Sequence, residues 1–143
     1  MKVLVDTNVV LDVFLKQEPF CEDSTVILYL AKGSIISAFF AAVSMTNVFY
    51  ILRKNGKSRD EAYQELDKLA VIFKLAPTIK TTIANALALR WKDFEDAVQY
   101  VTAKESEVEY IITRNKDDFI TTDIPCMTPT EFIAFLREKE ENE

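Results

Sequence analysis

Three groups of acids could do chemistry in this 143-residue chain. Asp6 closes the run Val3-Leu4-Val5, which has the unbroken apolar character of a buried parallel strand. Asp93 and Asp96 are spaced so that a helix sets them about 60° apart, on neighbouring positions of one face. Asp117 and Asp118 follow Ile111-Ile112-Thr113-Arg114-Asn115, another apolar run ending in polar residues. Each group also has an ordinary structural reading. Asp6 can cap the helix that begins at Asn8, Asp93 can cap its own helix with Asp96 in the favoured first turn, and the last group can be a polar loop. Aspartates gathered without a cation repel one another and raise their pKa values, which a bound divalent ion relieves.

The chain contains no histidine. That removes Ser-His and Cys-His nucleophile systems and every His-ligated zinc site. Catalysis near neutral pH then falls to carboxylates, Lys, Tyr or a metal, and the abundant acids favour a hard, oxygen-seeking cation such as Mg²⁺ or Mn²⁺. Cys21 and Cys126 have no metal-ligand spacing and read as reduced thiols. With no charge-free apolar span and no signal-peptide pattern, the expected location is the cytoplasm, away from any membrane. A net charge of −6 argues against a generic nucleic-acid coat, but not against an enzyme that reaches phosphate through metal and a few local cations.

The elements that must position the acids follow from periodicity and punctuation. Strand Val3–Val5 leads into helix Asn8–Leu15, and a second helix covers about Glu22–Ala31 before the basic turn and C′ glycine of Lys32-Gly33. Ile35–Val43 holds the second strand. Ser44 is the expected N-cap of helix Met45–Lys54, and Ser58 with Glu61 makes a capping box for the next helix. Val71-Ile72-Phe73 is the third strand candidate. Helix Ile79–Leu89 comes next, then a helix opened by Asp93 and reaching about Lys104, with Phe94, Ala97, Val98 and Val101 as its buried stripe. Tyr110–Ile112 is the fourth strand, Pro125–Met127 a short fifth, and Thr128-Pro129 starts a last helix over Thr130–Lys139. Strand–helix alternation of this kind implies an α/β fold with a parallel sheet covered on both sides. The expected domain spans residues 1–139, followed by a frayed acidic end over 140–143.

Strand-Asp-Thr-Asn, then Asp-x-x-Asp-Ala on a helix, then strand-Thr-Arg-Asn-x-x-Asp-Phe resembles the PIN-domain family, the metal-dependent nucleases that include VapC-type toxins. The segment SMTNVFYILRK strengthens the resemblance, which covers essentially the whole chain. It implies a three-layer α/β/α fold with a central parallel sheet of about five strands, and acids converging at its carboxyl edge. It implies an endoribonuclease using Mg²⁺ or Mn²⁺, of the kind that serves as the toxin of a toxin–antitoxin pair, that leaves a 5′-phosphate and a 3′-hydroxyl. Asp6 and Asp96 match the family's first and third acids.

The chain departs from the family pattern at two positions. Many PIN domains carry Glu where this chain has Asn47 and Asp where it has Asn115. An Asn oxygen can ligate a cation or hold a water, but brings no charge. Asp93 and Asp118 are the nearest acids to supply that charge, and Asp12 is a weaker candidate. A branch of PIN-like proteins resembles this same TN and TRN pattern. On this reading Asp6, Asp96, Asp93, Asn47 and Asn115 are the catalytic set, with Asp6, Asp96, Asp93 and Asp118 toward the metal. Thr7, Asn8, Thr113 and Arg114 face substrate, the Arg114 fork suiting a phosphate.

The expected partners are RNA, a second copy of the chain and an antitoxin protein. Apolar helix surface near Phe49, Tyr50 or Phe135 is the candidate twofold contact. Arg53, Lys54, Lys57 and Arg59 form the densest basic stretch, whose helix-terminal position suits a dipole role. Phe39, Phe40, Phe49, Tyr50, Phe73 and Trp91 suit core or dimer surface better than base stacking. One rival is a PIN-like regulatory domain, catalytically weak or inactive, that binds nucleic acid or protein. Phosphoacceptor α/β domains fit poorly. The haloacid-dehalogenase kind needs an acid where Asn8 stands, and a receiver needs Asp at the end of the third strand.

Overall fold

Short apolar runs alternating with amphipathic ones give a sheet with helices packed on each face. The computed structural model describes residues 1–119 and 123–142. In chain order the elements are β1 (Lys2–Val5), α1 (Thr7–Phe14), α2 (Cys21–Lys32), β2 (Ser37–Ala41), α3 (Ser44–Lys54), α4 (Arg59–Ile72), β3 (Lys74–Ala76), α5 (Lys80–Leu89), α6 (Phe94–Glu105), β4 (Tyr110–Ile112), β5 (Cys126–Met127) and α7 (Pro129–Glu141). A single 3-10 turn, Lys116–Asp118, lies between β4 and β5.

The five strands are all parallel, in the order β3-β2-β1-β4-β5. Val3 lies opposite Ala38 on one side and Tyr110 on the other. The chain builds outward from β1 in one direction, then returns across it to lay down β4. The reversal leaves a crevice at the carboxyl ends of β1 and β4, the usual ligand position in such sheets.

Strand alternation divides the core in two. Val3, Val5, Ala38, Phe40 and Ile112 point to the face covered by α1, α2, α3, α4 and α7, where Ile27, Leu52, Leu69 and Phe132 are fully or almost fully buried. Leu4 and Ile111 point to the other face, against α5 and α6 through Ala86, Ala97, Val98 and Val101. Among the described residues, no helix is long and apolar enough to cross a membrane. Both cysteines are free thiols.

Several local expectations are corrected. Val71 and Ile72 finish α4 rather than forming a strand, because Ala62, Leu69 and Phe73 keep a helical stripe against the core. The third strand is the next segment, Lys74–Ala76, pairing Phe39–Ala41 at the sheet edge. Ser44 is the first residue of α3, not its cap. Val43 precedes the helix with no capping side chain. Gly33 has an ordinary φ of −80°, and the left-handed residue after α2 is Ser34 at φ 57°. Phe94 is 45% exposed, outside the buried stripe. The capping boxes at Ser58–Glu61 and Thr128–Glu131 form, and α7 runs on to Glu141, past the expected boundary at residue 139.

Candidate functional site

Asp6 sits where β1 gives way to α1, its backbone N–H donating to Ile112 O on β4 at 2.9 Å. That bond fixes the residue at the crevice between the two strands. The carboxylate is 5% exposed, with one oxygen capping α1 and the other turned into the crevice. Oδ1 accepts the Thr7 N–H at 2.7 Å as the α1 cap, while Oδ2 accepts the Thr113 hydroxyl at 2.8 Å and the Asn8 side-chain amide at 3.3 Å. Burial pushes the carboxyl up to about 6 despite the bonds from Thr113 and Thr7. Glu95 and Asp118 contribute to that rise.

Thr113, fully buried at the end of β4, is a hinge of the polar frame. Its Oγ1 donates to Asp6 and accepts the backbone N–H of Asn115 at 3.1 Å. Asn8 Oδ1 accepts the Arg114 backbone N–H at 3.2 Å. The TRN segment is therefore held onto the start of α1. The Arg114 guanidinium turns away along α1, pairing with Asp12 through Nε–Oδ2 and Nη2–Oδ1, each 2.9 Å, and lying over the Phe20 ring. That fork is closed on Asp12, so a phosphate contact requires the pair to open. Asp12 is accordingly spent on Arg114 and does not supply charge to the site.

The first turn of α6 brings the remaining acids. Asp93 is the N-cap, its Oδ1 accepting the Asp96 N–H at 3.2 Å. Asp96 is raised to about 7, first by burial, then by Asp6, Asp93, Asp118 and Glu95. Asp6, Asp93, Asp118 and Glu95 thus all act through space on Asp96. Asp118 lies on the exposed 3-10 turn and Asn115 just before it, also exposed.

Glu95 is a further candidate that the residue pattern alone leaves out of the site. Asn47, half-buried on α3, donates to both its oxygens at 3.4 and 3.3 Å, and the Thr7 hydroxyl donates to Oε1 at 3.4 Å. The acid therefore stands beside Asn47, where many PIN domains would have their Glu. A signal was present in Phe94-Glu95-Asp96, since an acid next to a candidate ligand in a first helical turn faces the same end of the helix.

The ion pairs of the described residues use Asp12, Glu65, Asp123 and Glu131, leaving Asp6 and Asp96 outside them. Mutually repelling carboxylates with no paired cation are oxygen donors suited to a hard divalent ion. Among the described residues, no three acidic or thiol side chains gather as a ready-made cage. The fit therefore rests on Asp6 and Asp96, with neighbouring charge rather than a closed set of ligands.

Comparison with known proteins places this geometry among relatives. A profile of the PIN domain family matches residues 2–117. The chain is 28% identical over 136 residues to Ribonuclease VapC1 of Aquifex aeolicus (strain VF5), with 92% of each protein covered. Among solved structures it is similar to a toxin-antitoxin complex from Klebsiella pneumoniae, at TM-score 0.65 and 21% identity, covering 89% of this chain and 97% of that one. FitAcB from Neisseria gonorrhoeae gives TM-score 0.67 and 17% identity, covering 90% and 98%. A structure of FitAB bound to the IR36 DNA fragment gives 0.65 and 17%, covering 89% and 94%.

Proposed function

Since the chain belongs to the PIN domain family, we propose that it is an endoribonuclease that depends on Mg²⁺ or Mn²⁺. The observation that carries this reading is the pairing of Asp6 and Asp96 at the β1–β4 crevice, both raised in pKa and neither in an ion pair. A divalent cation there lowers the pKa of a water and polarises a phosphoryl oxygen, so a chain without histidine needs no imidazole base. Asp6 and Asp96 would hold such an ion, with Asp93 and Asp118 adding negative potential. Glu95 supplies charge beside Asn47. Thr113, Thr7 and Asn8 lock the Asp6 carboxylate in one orientation, and Asn115, exposed on the loop, can hold a water at the mouth of the site. In-line attack leaves a 5′-phosphate and a 3′-hydroxyl.

The relative named as a ribonuclease and the neighbour described as a toxin-antitoxin complex support the finer reading of a toxin held by an antitoxin protein. A homodimer, with two such centres on one groove, belongs to the same reading. Cleavage of a panel of structured RNAs in Mg²⁺, Mn²⁺ and EDTA tests it. Cleavage should need metal and vanish in Asp6→Asn. Parent-like cleavage by Asp6→Asn in the same metal sinks the assignment.

One observation favours a second reading. The lack of a three-acid cage among the described residues suits a PIN-like domain that binds nucleic acid or protein without hydrolysing it. Thermal stabilisation by Mn²⁺ separates the two, because an inert domain gains little from the ion.

A further inference from the structure

Gln99 lies on α6 one turn beyond Asp96, inside the otherwise apolar stretch Ala97-Val98 and Tyr100-Val101. It is 1% exposed. Its Nε2 donates to Ser44 Oγ at 2.8 Å and to Thr7 Oγ1 at 3.4 Å, while Oε1 has no hydrogen-bond partner among the described residues. The two acceptors are the first residues of α3 and α1. A single amide in the second turn of α6 therefore joins the N-termini of α1 and α3, and these three helix ends carry Asp6, Asn47, Glu95 and Asp96. Ser44 gives its own helix no cap, its buried hydroxyl being committed to Gln99.

The relay has a direction. Thr7 Oγ1 accepts from Gln99, so its own proton is free to point at Glu95 Oε1 at 3.4 Å. Asn47 grips the same carboxylate from α3. A buried carbonyl left without a donor works against stability. A methionine of similar length would fill the space without that cost. Packing alone therefore does not account for an amide at this position.

We propose that Gln99 is a positioning residue for the acid centre: it orders the Thr7 hydroxyl and the start of α3 so that Glu95 and Asn47 are held in register with Asp6 and Asp96. This role rests on the nuclease reading of that centre. It involves no contact between Gln99 and substrate.

Gln99→Met in the full chain separates positioning from packing, with Ser44→Ala as a second, milder break in the same relay. The measurements are metal-free melting temperature, Mn²⁺ affinity by calorimetry, and kcat and KM on an RNA that the parent cleaves. Gln99→Met should melt at or above the parent temperature. Its Mn²⁺ affinity and kcat should fall by about 10- to 100-fold, as expected when support behind a ligand shell is lost. KM should stay within about twofold. Ser44→Ala should shift affinity and kcat the same way by less. Unchanged Mn²⁺ affinity and kcat in folded Gln99→Met overturns the role, as does an activity loss no larger than the unfolded fraction. Should Gln99→Met fail to fold, parent-like Mn²⁺ affinity in Ser44→Ala overturns it instead. A parent that neither binds Mn²⁺ nor cleaves removes the nuclease reading and this role with it, whereas an active parent with parent-like variants removes this role alone.

Discussion

Asn47 on α3 and Glu95 on α6 face one another as amide and carboxylate, both Glu95 oxygens lying within 3.4 Å of the same Asn47 nitrogen. The relationship explains how an uncharged residue can occupy Asn47: the amide is a donor to an acid rather than a ligand in its own right. Asn47→Glu would set two carboxylates against each other. Without metal it should melt below the parent, and Mn²⁺ should raise its melting temperature more than it raises the parent's. Calorimetric scans with EDTA and with Mn²⁺ check both signs.

Asp6→Asn and Asp96→Asn probe charge at nearly constant shape. Asn caps a helix as well as Asp, so the α1 cap on Thr7 survives, and near neutral pH each variant should be at least as stable as the parent because a carboxyl raised by burial is removed. RNA cleavage should fall by at least about 100-fold in each, since a charged group toward the metal is lost. Urea titration and initial rates on one RNA give the two quantities.

The raised carboxyls also make stability depend on pH. Asp6 at about 6 and Asp96 at about 7 compare with an ordinary 3.8 in the unfolded chain. Between those values the folded state holds more protons than the unfolded one, so the metal-free protein loses stability as pH rises through that window. In EDTA it should melt higher near about pH 5 than near about pH 7.5. The slope should flatten in the Asp6→Asn/Asp96→Asn double variant. A parent whose melting temperature rises across that range would contradict the shared acid field.

The Asp12–Arg114 pair should behave as a structural clamp. Asp12 is 1% exposed, and burial pushes its carboxyl up even beside the guanidinium. Arg114→Met should cost about 3 to 5 kcal/mol by stranding a buried charge. Asp12→Leu with Arg114→Met should recover most of that. Equal stability of Arg114→Met and parent in urea would show that the pair carries nothing.

Much of this organisation was legible before the fold. The punctuation at Ser58, Asn55-Gly56 and Thr128-Pro129 is local chemistry, and each of these ends its helix or caps the next where the pattern puts it. Tyr110–Ile112 was readable for its β-branched run, and Asp6 for its place at the end of one. Val71-Ile72-Phe73 misled because three apolar residues suit either a strand or the last turn of a helix. The tie is broken by Leu69, far back in the same stripe and fully buried. Ser44 looked like a cap because local spacing cannot reveal a rival partner 55 residues away in Gln99. Glu95 was masked by its more recognisable neighbours. Its role depends on Asn47, which only the packing of α3 beside α6 brings near.

The strand order has a bearing on how the protein is made. β1 is made before the other strands, yet it occupies the middle of the sheet, and its β4 neighbour is synthesised more than a hundred residues later. A nascent chain arrested before Tyr110 has Asp6 but neither the Ile112 carbonyl that anchors it nor the Thr113 hydroxyl that orients it. Because domains form from the N-terminus as translation proceeds, this one stays chemically incomplete until its last third emerges. On the proposed nuclease reading, such an arrangement delays competence until β4 has been made and docked beside β1.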